Sequence, residues 1–128
     1  MPFTNDAHEL LGLLAYIHLE HHQPEKSVVL LQALHAIGVS TPKEETMLAL
    51  SLLQAGKPEA ALARLDQLAL NGVSDAACHL IRSQALHALG RKVEARAAMR
   101  AYLRARAASV TRRPDPASLN FSAPSSLA

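Results

Sequence analysis

Apolar residues recur every three or four positions along most of the chain, which is the spacing of helices that bury one face. No alternation of apolar and polar residues is long enough to predict a strand. Gly38, Gly72 and Gly90 follow apolar segments, where helix-ending glycines stand. The segment 41–44 supplies an N-cap threonine, a proline at the first helical position and a capping-box glutamate. The pattern therefore predicts an all-α fold with helices near residues 6–21, 24–37, 42–55, 58–71, 75–89 and 91–109.

The helical pattern repeats with a period of 34 residues. A shift by this period places the segment 38–40 on the identical segment 72–74, and it aligns small residues at two positions of three successive hairpins. These small residues are Ala15, Ala49 and Ser83 on the first helices and Ser27, Ala61 and Ala95 on the second helices. In its period and in these positions the sequence resembles the tetratricopeptide repeat (TPR), a hairpin of two helices. A generic stack of helical hairpins is the alternative that the pattern leaves open.

The resemblance implies a right-handed α-solenoid of three TPR-like hairpins. We expect repeats at about residues 8–41, 42–75 and 76–109, within one domain of residues 6–110. Residues 111–128 contain three prolines and four serines but few large apolar residues. Such a composition buries too little surface to offset the entropy that ordering costs, so we expect a disordered, flexible tail.

The resemblance also predicts where a partner binds. Stacked hairpins of this kind curve, and the first helix of each TPR lines the concave side. Transferring the groove positions of a TPR to this chain gives a partner-binding groove of Glu9, Tyr16, Leu19, Glu20, Leu50, Leu53, Leu80, Gln84 and His87. An apolar strip of this kind is seldom exposed without a use, so we expect it to bind an apolar segment of another protein and to self-associate without that partner. The alternative is that some of these leucines only fill the core.

Three stretches indicate a particular group of TPR proteins: LGLLAYIHLEH at residues 11–21, VVLLQALH at 28–35 and LIRSQALHALGR at 80–91. They resemble the cytosolic TPR chaperones of bacterial type III secretion, a virulence-associated system, and in particular the YscY type. This resemblance implies a chaperone that keeps a small secreted partner of the YscX type soluble and, together with it, engages the export-gate protein. It implies a cytoplasmic location, peripheral at the inner membrane through that gate. The YscG type, which holds needle subunits, is the alternative, and the LcrH/SycD type, which holds translocators, is larger.

The formal net charge of +2 averages two oppositely charged parts of the chain. Residues 1–81 carry four basic and nine acidic residues, whereas residues 82–128 carry nine basic and two acidic ones. A spacing of four residues predicts one basic face on the last helix, formed by Lys92, Arg96, Arg100 and Arg104. We interpret this face as solvated, with contact to an acidic protein surface as the next candidate. Binding of nucleic acid or an anionic membrane is the last, since interleaved aromatic residues are missing apart from Tyr102.

Residues that carry chemistry form no pattern of a catalytic, cofactor or metal site. His18, His21 and His22 share a helix face, but neither the single cysteine, Cys78, nor an HExxH motif adds a further ligand. No phosphate-binding glycine loop or GxSxG motif is present. We therefore expect no enzyme activity, no cofactor and no metal. We also expect a soluble intracellular protein, because no apolar stretch has the length of a membrane span and no basic segment opens a secretory signal.

Overall fold

The computed structural model describes residues 5–112, and all regular structure in this range is helical. The helices are α1 (Asn5–Glu20), α2 (Pro24–Ile37), α3 (Pro42–Gln54), α4 (Pro58–Leu70), α5 (Ala76–Ala88) and α6 (Lys92–Arg112). The expected all-α class is confirmed, and every helix boundary lies within three residues of the expected one. Residues 111 and 112 belong to α6, and the rest of the expected tail lies outside the described residues. No helix in the described range combines the length and the apolar character that crossing a membrane requires.

Short local signals determine where α3 and α5 begin. Thr41 Oγ1 accepts a hydrogen bond from the backbone N–H of Glu44 at 3.2 Å, and the Glu44 carboxylate accepts one from the backbone N–H of Thr41 at 3.0 Å. This is the expected capping box, and Pro42 occupies the first helical position. Before α5, the Asp75 carboxylate accepts a hydrogen bond from the backbone N–H of Cys78 at 3.2 Å. Asp75 stands 34 residues after Thr41, so the same repeat position caps both helices.

The turn inside each hairpin requires a left-handed backbone conformation. Gly56 and Gly90 adopt it with φ angles of 81° and 76°, and His22 takes the same place in the first hairpin with a φ angle of 58°. Glycine adopts this conformation freely, whereas a residue with a side chain does so at a cost of about 1–2 kcal/mol. The first hairpin therefore keeps the geometry of the turn although it lacks the glycine.

The contacts between helices set the curvature of the stack. The two helices of each hairpin pack together, and the second helix of one hairpin contacts the first helix of the next, α2 against α3 and α4 against α5. The backbones of the first helices also approach each other, α1 with α3 and α3 with α5, whereas those of successive second helices lie farther apart within residues 5–112. The second helices α2 and α4 meet through side chains, with Nη1 of Arg64 lying 3.2 Å from Nε2 of His35. The hairpins are thus closest along their first helices, which places α1, α3 and α5 on the concave side.

Two clusters of buried side chains hold the hairpins together. Leu31 and Leu48 belong to the cluster between the first two hairpins, and Leu65 and Ile81 belong to the cluster between the last two. Leu53 packs against both clusters. All six small residues that the period aligns are buried. Their size lets the helices of a hairpin approach closely, and a leucine there would force them apart at a cost of about 1–3 kcal/mol.

Three serine residues, Ser27, Ser51 and Ser83, are buried in this packing, and the hydroxyl of each has a hydrogen-bond partner. Ser51 Oγ donates to the carbonyl oxygen of Met47 at 2.8 Å, and Ser27 Oγ lies 2.9 Å from Ser51 Oγ. Because a serine hydroxyl has one hydrogen to donate, Ser27 is the donor to Ser51. In the third hairpin, Ser83 Oγ donates to the carbonyl oxygen of Ala95 at 3.1 Å and so links α5 to α6 directly.

Glu44 connects α3 to α1 in addition to capping its own helix. Its carboxylate oxygens lie 2.6 and 2.9 Å from Nε2 of His8. A Cβ atom at Gly12 would lie 2.8 Å from one of these oxygens, so a larger residue there would displace the carboxylate. Burial raises the pKa of the Glu44 carboxyl, but the hydrogen bonds from Thr41 and His8 outweigh burial and hold this pKa below its usual value.

The hydrogen bond between Ser27 and Ser51 predicts which of the two alanine variants is less stable. Ser51→Ala leaves the Ser27 hydroxyl without an acceptor, and we expect it to lower the free energy of unfolding by about 1–3 kcal/mol. Ser27→Ala leaves Ser51 bonded to Met47, and we expect a smaller loss of about 0.5–1.5 kcal/mol. The double variant should lose less than the two single losses together. Urea unfolding followed by circular dichroism measures all three, and equal losses in the single variants would contradict the assigned donor.

Glu44 yields a prediction for the pH dependence of stability. A carboxyl group whose pKa is lowered by folding contributes stability above its unfolded pKa, and this contribution is lost as the pH falls through the folded pKa. We therefore expect the free energy of unfolding to decrease less for Glu44→Gln than for the wild type when the pH is lowered from about 6 to about 3. Urea unfolding across this range measures the difference. Glu25→Gln, at an exposed first-turn glutamate of α2, is the control, and equal pH slopes for the two variants would refute the assignment.

Candidate functional site

The concave side carries a groove of about 860 Å³ between α1, α3 and α5. Its apolar lining residues are Leu13, Tyr16, Leu19, Met47, Leu50, Val73 and Ile81. Its acidic lining residues are Glu9, Glu20, Glu44 and Asp75, and Lys43 is the one basic residue among the described side chains that line it. We call this surface the concave groove, and it combines an apolar wall with an excess of acidic groups.

Five of the residues expected in the groove line it: Glu9, Tyr16, Leu19, Glu20 and Leu50. They come from α1 and α3, the first helices of the first two hairpins. Tyr16 is 48% exposed, whereas Leu19 and Leu50 are half-buried. Leu50 also packs against the core cluster between the last two hairpins. Tyr16 is therefore the large side chain of this set that is least involved in the core.

The other four residues that were expected in the groove lie elsewhere in the structure. Leu53 packs against both core clusters and does not line the groove, because its part of α3 faces the neighbouring hairpins. Leu80 is half-buried and is likewise not among the lining residues. Gln84 and His87 line a different cavity. The concave groove therefore ends within the first two turns of α5.

That second cavity lies between α5 and α6 and has a volume of about 560 Å³. Gln84 and His87 come from α5, and Lys92, Arg96 and Met99 come from α6. Lys92 and Arg96, which were expected in the basic face, thus line the same cavity as Gln84 and His87, which were expected in the groove. This end of the molecule forms a surface of its own, separate from the concave groove.

All four residues of the basic face are exposed on α6. None of them takes part in the ion pairs found among residues 5–112. The neighbouring Arg91, in contrast, donates from Nε to the Glu94 carboxylate at 2.9 Å. The positive charge of Lys92, Arg96, Arg100 and Arg104 is therefore not neutralised by adjacent carboxylates.

Several residues of the groove are absent from the set predicted from the sequence. Val73 and Asp75 come from the loop before α5, and Leu13 and Met47 lie beside the transferred positions on α1 and α3. The predicted groove was obtained from TPR positions on the first helices alone, so it contains no loop residue. The period relates Asp75 to Thr41, and both residues line the groove, but only the structure shows that either of them does.

The side chains with reactive or metal-binding groups are placed as follows. Cys78 is buried, and its Sγ lies 3.7 Å from Oγ1 of Thr46. Burial raises the pKa of the Cys78 thiol, which disfavours the nucleophilic thiolate. His18 Nδ1 lies 3.0 Å from the side-chain oxygen of Gln23. Across residues 5–112, no three His, Cys, Asp or Glu side chains are grouped in a way that could hold a metal ion.

Comparison with known proteins agrees with the helical architecture. A family profile described as a tetratricopeptide repeat matches residues 46–110, which is just over half of the 128 residues. No curated protein matches the chain. TPR domains bind protein partners, and they are typically scaffolds without catalytic activity. With six helices stacked as hairpins and this match, the chain belongs to the tetratricopeptide repeat family.

Proposed function

We propose that this TPR protein is a chaperone of bacterial type III secretion that binds a small secreted protein of the YscX type in its concave groove. It keeps this client soluble in the cytoplasm and helps to deliver it to the export gate. The resemblance of residues 11–21, 28–35 and 80–91 to YscY-type chaperones supports this class. The function requires binding but no chemistry.

The observation that carries the proposal is the composition of the groove wall. Seven of its lining residues are large and apolar, and they come from α1, α3, α5 and the loop before α5. Leu13 and Tyr16 are 55% and 48% exposed at this wall, Ile81 is buried, and the other four residues are half-buried. A protein that leaves such a surface open in water gains free energy when an apolar segment of another chain covers it. A helical or extended client segment fits a groove of this kind.

The charge of the groove specifies the client further. Four carboxylates and one ammonium group line it, so the surroundings of the apolar wall are negative. The pKa of Glu44 is lowered by Thr41 and His8 despite burial, which keeps this carboxylate ionised at neutral pH. A segment with apolar side chains and flanking Lys or Arg therefore suits the groove, whereas a free C-terminal carboxylate does not.

Delivery to the export gate needs a second contact that leaves the groove occupied. The basic face lies on α6 at the other end of the stack from α1, and its four side chains are exposed. An acidic surface of the export-gate protein is the partner that such a face attracts. Association with the inner membrane is then peripheral and runs through the gate.

Tyr16→Asp tests the groove, because Tyr16 lines it without belonging to either core cluster. A carboxylate at this position meets an apolar wall that already carries an excess of acids. We expect the affinity for a YscX-type protein encoded in the same genome to fall by about 30-fold or more, with the helical circular dichroism unchanged. Co-purification after co-expression, followed by titration calorimetry, measures the loss.

The matched control is Leu70→Asp, which introduces the same charge at a leucine of α4 that is 79% exposed and does not line the groove. Equal binding by both variants would show that the client does not use the groove. Binding of a needle subunit in place of the YscX-type protein would assign the chain to the YscG class instead.

The exposed basic face favours one alternative, an adaptor that binds nucleic acid or an anionic membrane. Under the chaperone proposal, we expect the wild type not to bind single-stranded DNA or vesicles containing phosphatidylserine at about 0.15 M salt. Binding that weakens steeply with salt and disappears in the variant Arg96→Glu with Arg100→Glu would favour the adaptor. Vesicle co-sedimentation and fluorescence anisotropy measure the two cases.

A further inference from the structure

The outer face of α1 carries an apolar strip that no other described element covers. Four of the eleven large hydrophobic side chains that are exposed within residues 5–112 lie on this one helix. Three of them, Leu10, Leu13 and Ile17, are 56%, 55% and 40% exposed. Their spacing of three and four residues aligns them along one side of the helix. We call these three residues the α1 strip.

Fixed positive charge distinguishes the α1 strip from the exposed apolar residues of α6. On α6, the exposed residues Val93, Met99, Leu103 and Val110 lie among the four cationic residues of the basic face. No lysine or arginine lies on α1. An apolar surface can therefore cover the α1 strip without burying a lysine or arginine of that helix.

The strip is bounded by one acidic and one imidazole side chain. Asp6 lies four residues before Leu10, and His21 lies four residues after Ile17. The backbone N–H of His21 still donates to the carbonyl oxygen of Ile17 at 3.0 Å, so His21 continues the helical spacing. Both Asp6 and His21 are exposed. The order along this side of α1 is thus acid, three apolar residues, imidazole.

We propose that a second copy of the chain covers the α1 strip, with the two α1 helices antiparallel about a two-fold axis. An axis between positions 13 and 14 places Leu10 of one copy against Ile17 of the other, and Leu13 near the axis. The same axis places Asp6 of each copy beside His21 of the other. A strip that is complementary to itself under this rotation is what an isologous dimer requires.

Polar groups favour the same arrangement. An imidazole has an N–H group in either tautomer, so His21 donates to the Asp6 carboxylate of the second copy whether or not it is protonated. Antiparallel packing also brings the positive N-terminus of each α1 near the negative C-terminus of the other. A parallel pair of α1 helices would place Asp6 of one copy beside Asp6 of the other. It would lose the hydrogen bond between His21 and Asp6 and the favourable pairing of opposite helix ends. Leu13 belongs to both surfaces, but Leu10 and Ile17 do not line the concave groove, so this dimer does not depend on the proposed client.

The proposed pairing predicts how charged variants combine. Leu10→Lys and Ile17→Glu each bury two unpaired charges in a dimer of identical chains, and we expect each to raise the dissociation constant of the dimer by about 100-fold or more. In a mixture of the two variants, Lys at position 10 faces Glu at position 17 across the axis, and the other pair stays Leu10 with Ile17. We therefore expect a mixed dimer. Analytical ultracentrifugation of the full chain, with circular dichroism as the check on folding, measures all samples.

Leu70→Lys, a charge at an exposed leucine outside α1, is the control and should remain dimeric. The proposal is overturned if the wild-type chain is a monomer at concentrations of about 10–100 μM. This holds also if residues 1–4 or 113–128 of the same chain cover the strip, or if only an added client covers it. It is also overturned if Leu10→Lys stays dimeric, or if the two charged variants do not restore a dimer when mixed. Tyr16→Asp should leave the dimer intact, which separates this surface from the groove.

Discussion

The close approach of the two helices in each hairpin is the constraint on which the rest of this structure depends. Buried small residues allow it, and the hydrogen bond from Ser83 to the carbonyl oxygen of Ala95 shows how near α5 and α6 come. Because the backbones of the first helices approach each other more closely than those of the second helices, the stack curves around α1, α3 and α5. The concave groove is therefore a consequence of packing between backbones.

Local and periodic features of the fold could be predicted from the sequence, and the division between core and groove could not. Helix limits follow from caps such as Thr41 and from the period of 34 residues, which act over short distances in the chain. Leu50 and Leu53 are three residues apart on one helix and are the same residue type, yet Leu50 lines the groove and Leu53 packs against both clusters. Their difference arises from the positions of other hairpins. The loop residue Val73 was missed for the same reason, since it reaches the groove only when the stack has formed.

Glu44 illustrates how one side chain serves fold and site together. It completes the capping box of α3, lies 2.6 Å from His8 on α1 and contributes to the acidic lining of the groove. A side chain at Gly12 would meet this carboxylate, because a Cβ atom there would lie 2.8 Å from one of its oxygens. The position of this negative charge is consequently fixed by contacts with two helices. Under the proposed function, an acid that is held in this way attracts a basic client residue without losing conformational freedom when the client binds.

The two surfaces of α1 meet at one residue, and this limits how they can be separated. Leu13 lines the concave groove and also belongs to the α1 strip, so any change there alters both surfaces at once. Leu10 and Ile17 lie on the strip without lining the groove, and Tyr16 lines the groove without lying on the strip. The helix turns by about 100° per residue, so Tyr16 and Ile17 point in clearly different directions although they are adjacent. A client in the groove and a second copy on the strip would therefore lie side by side along α1, with Leu13 at their shared edge.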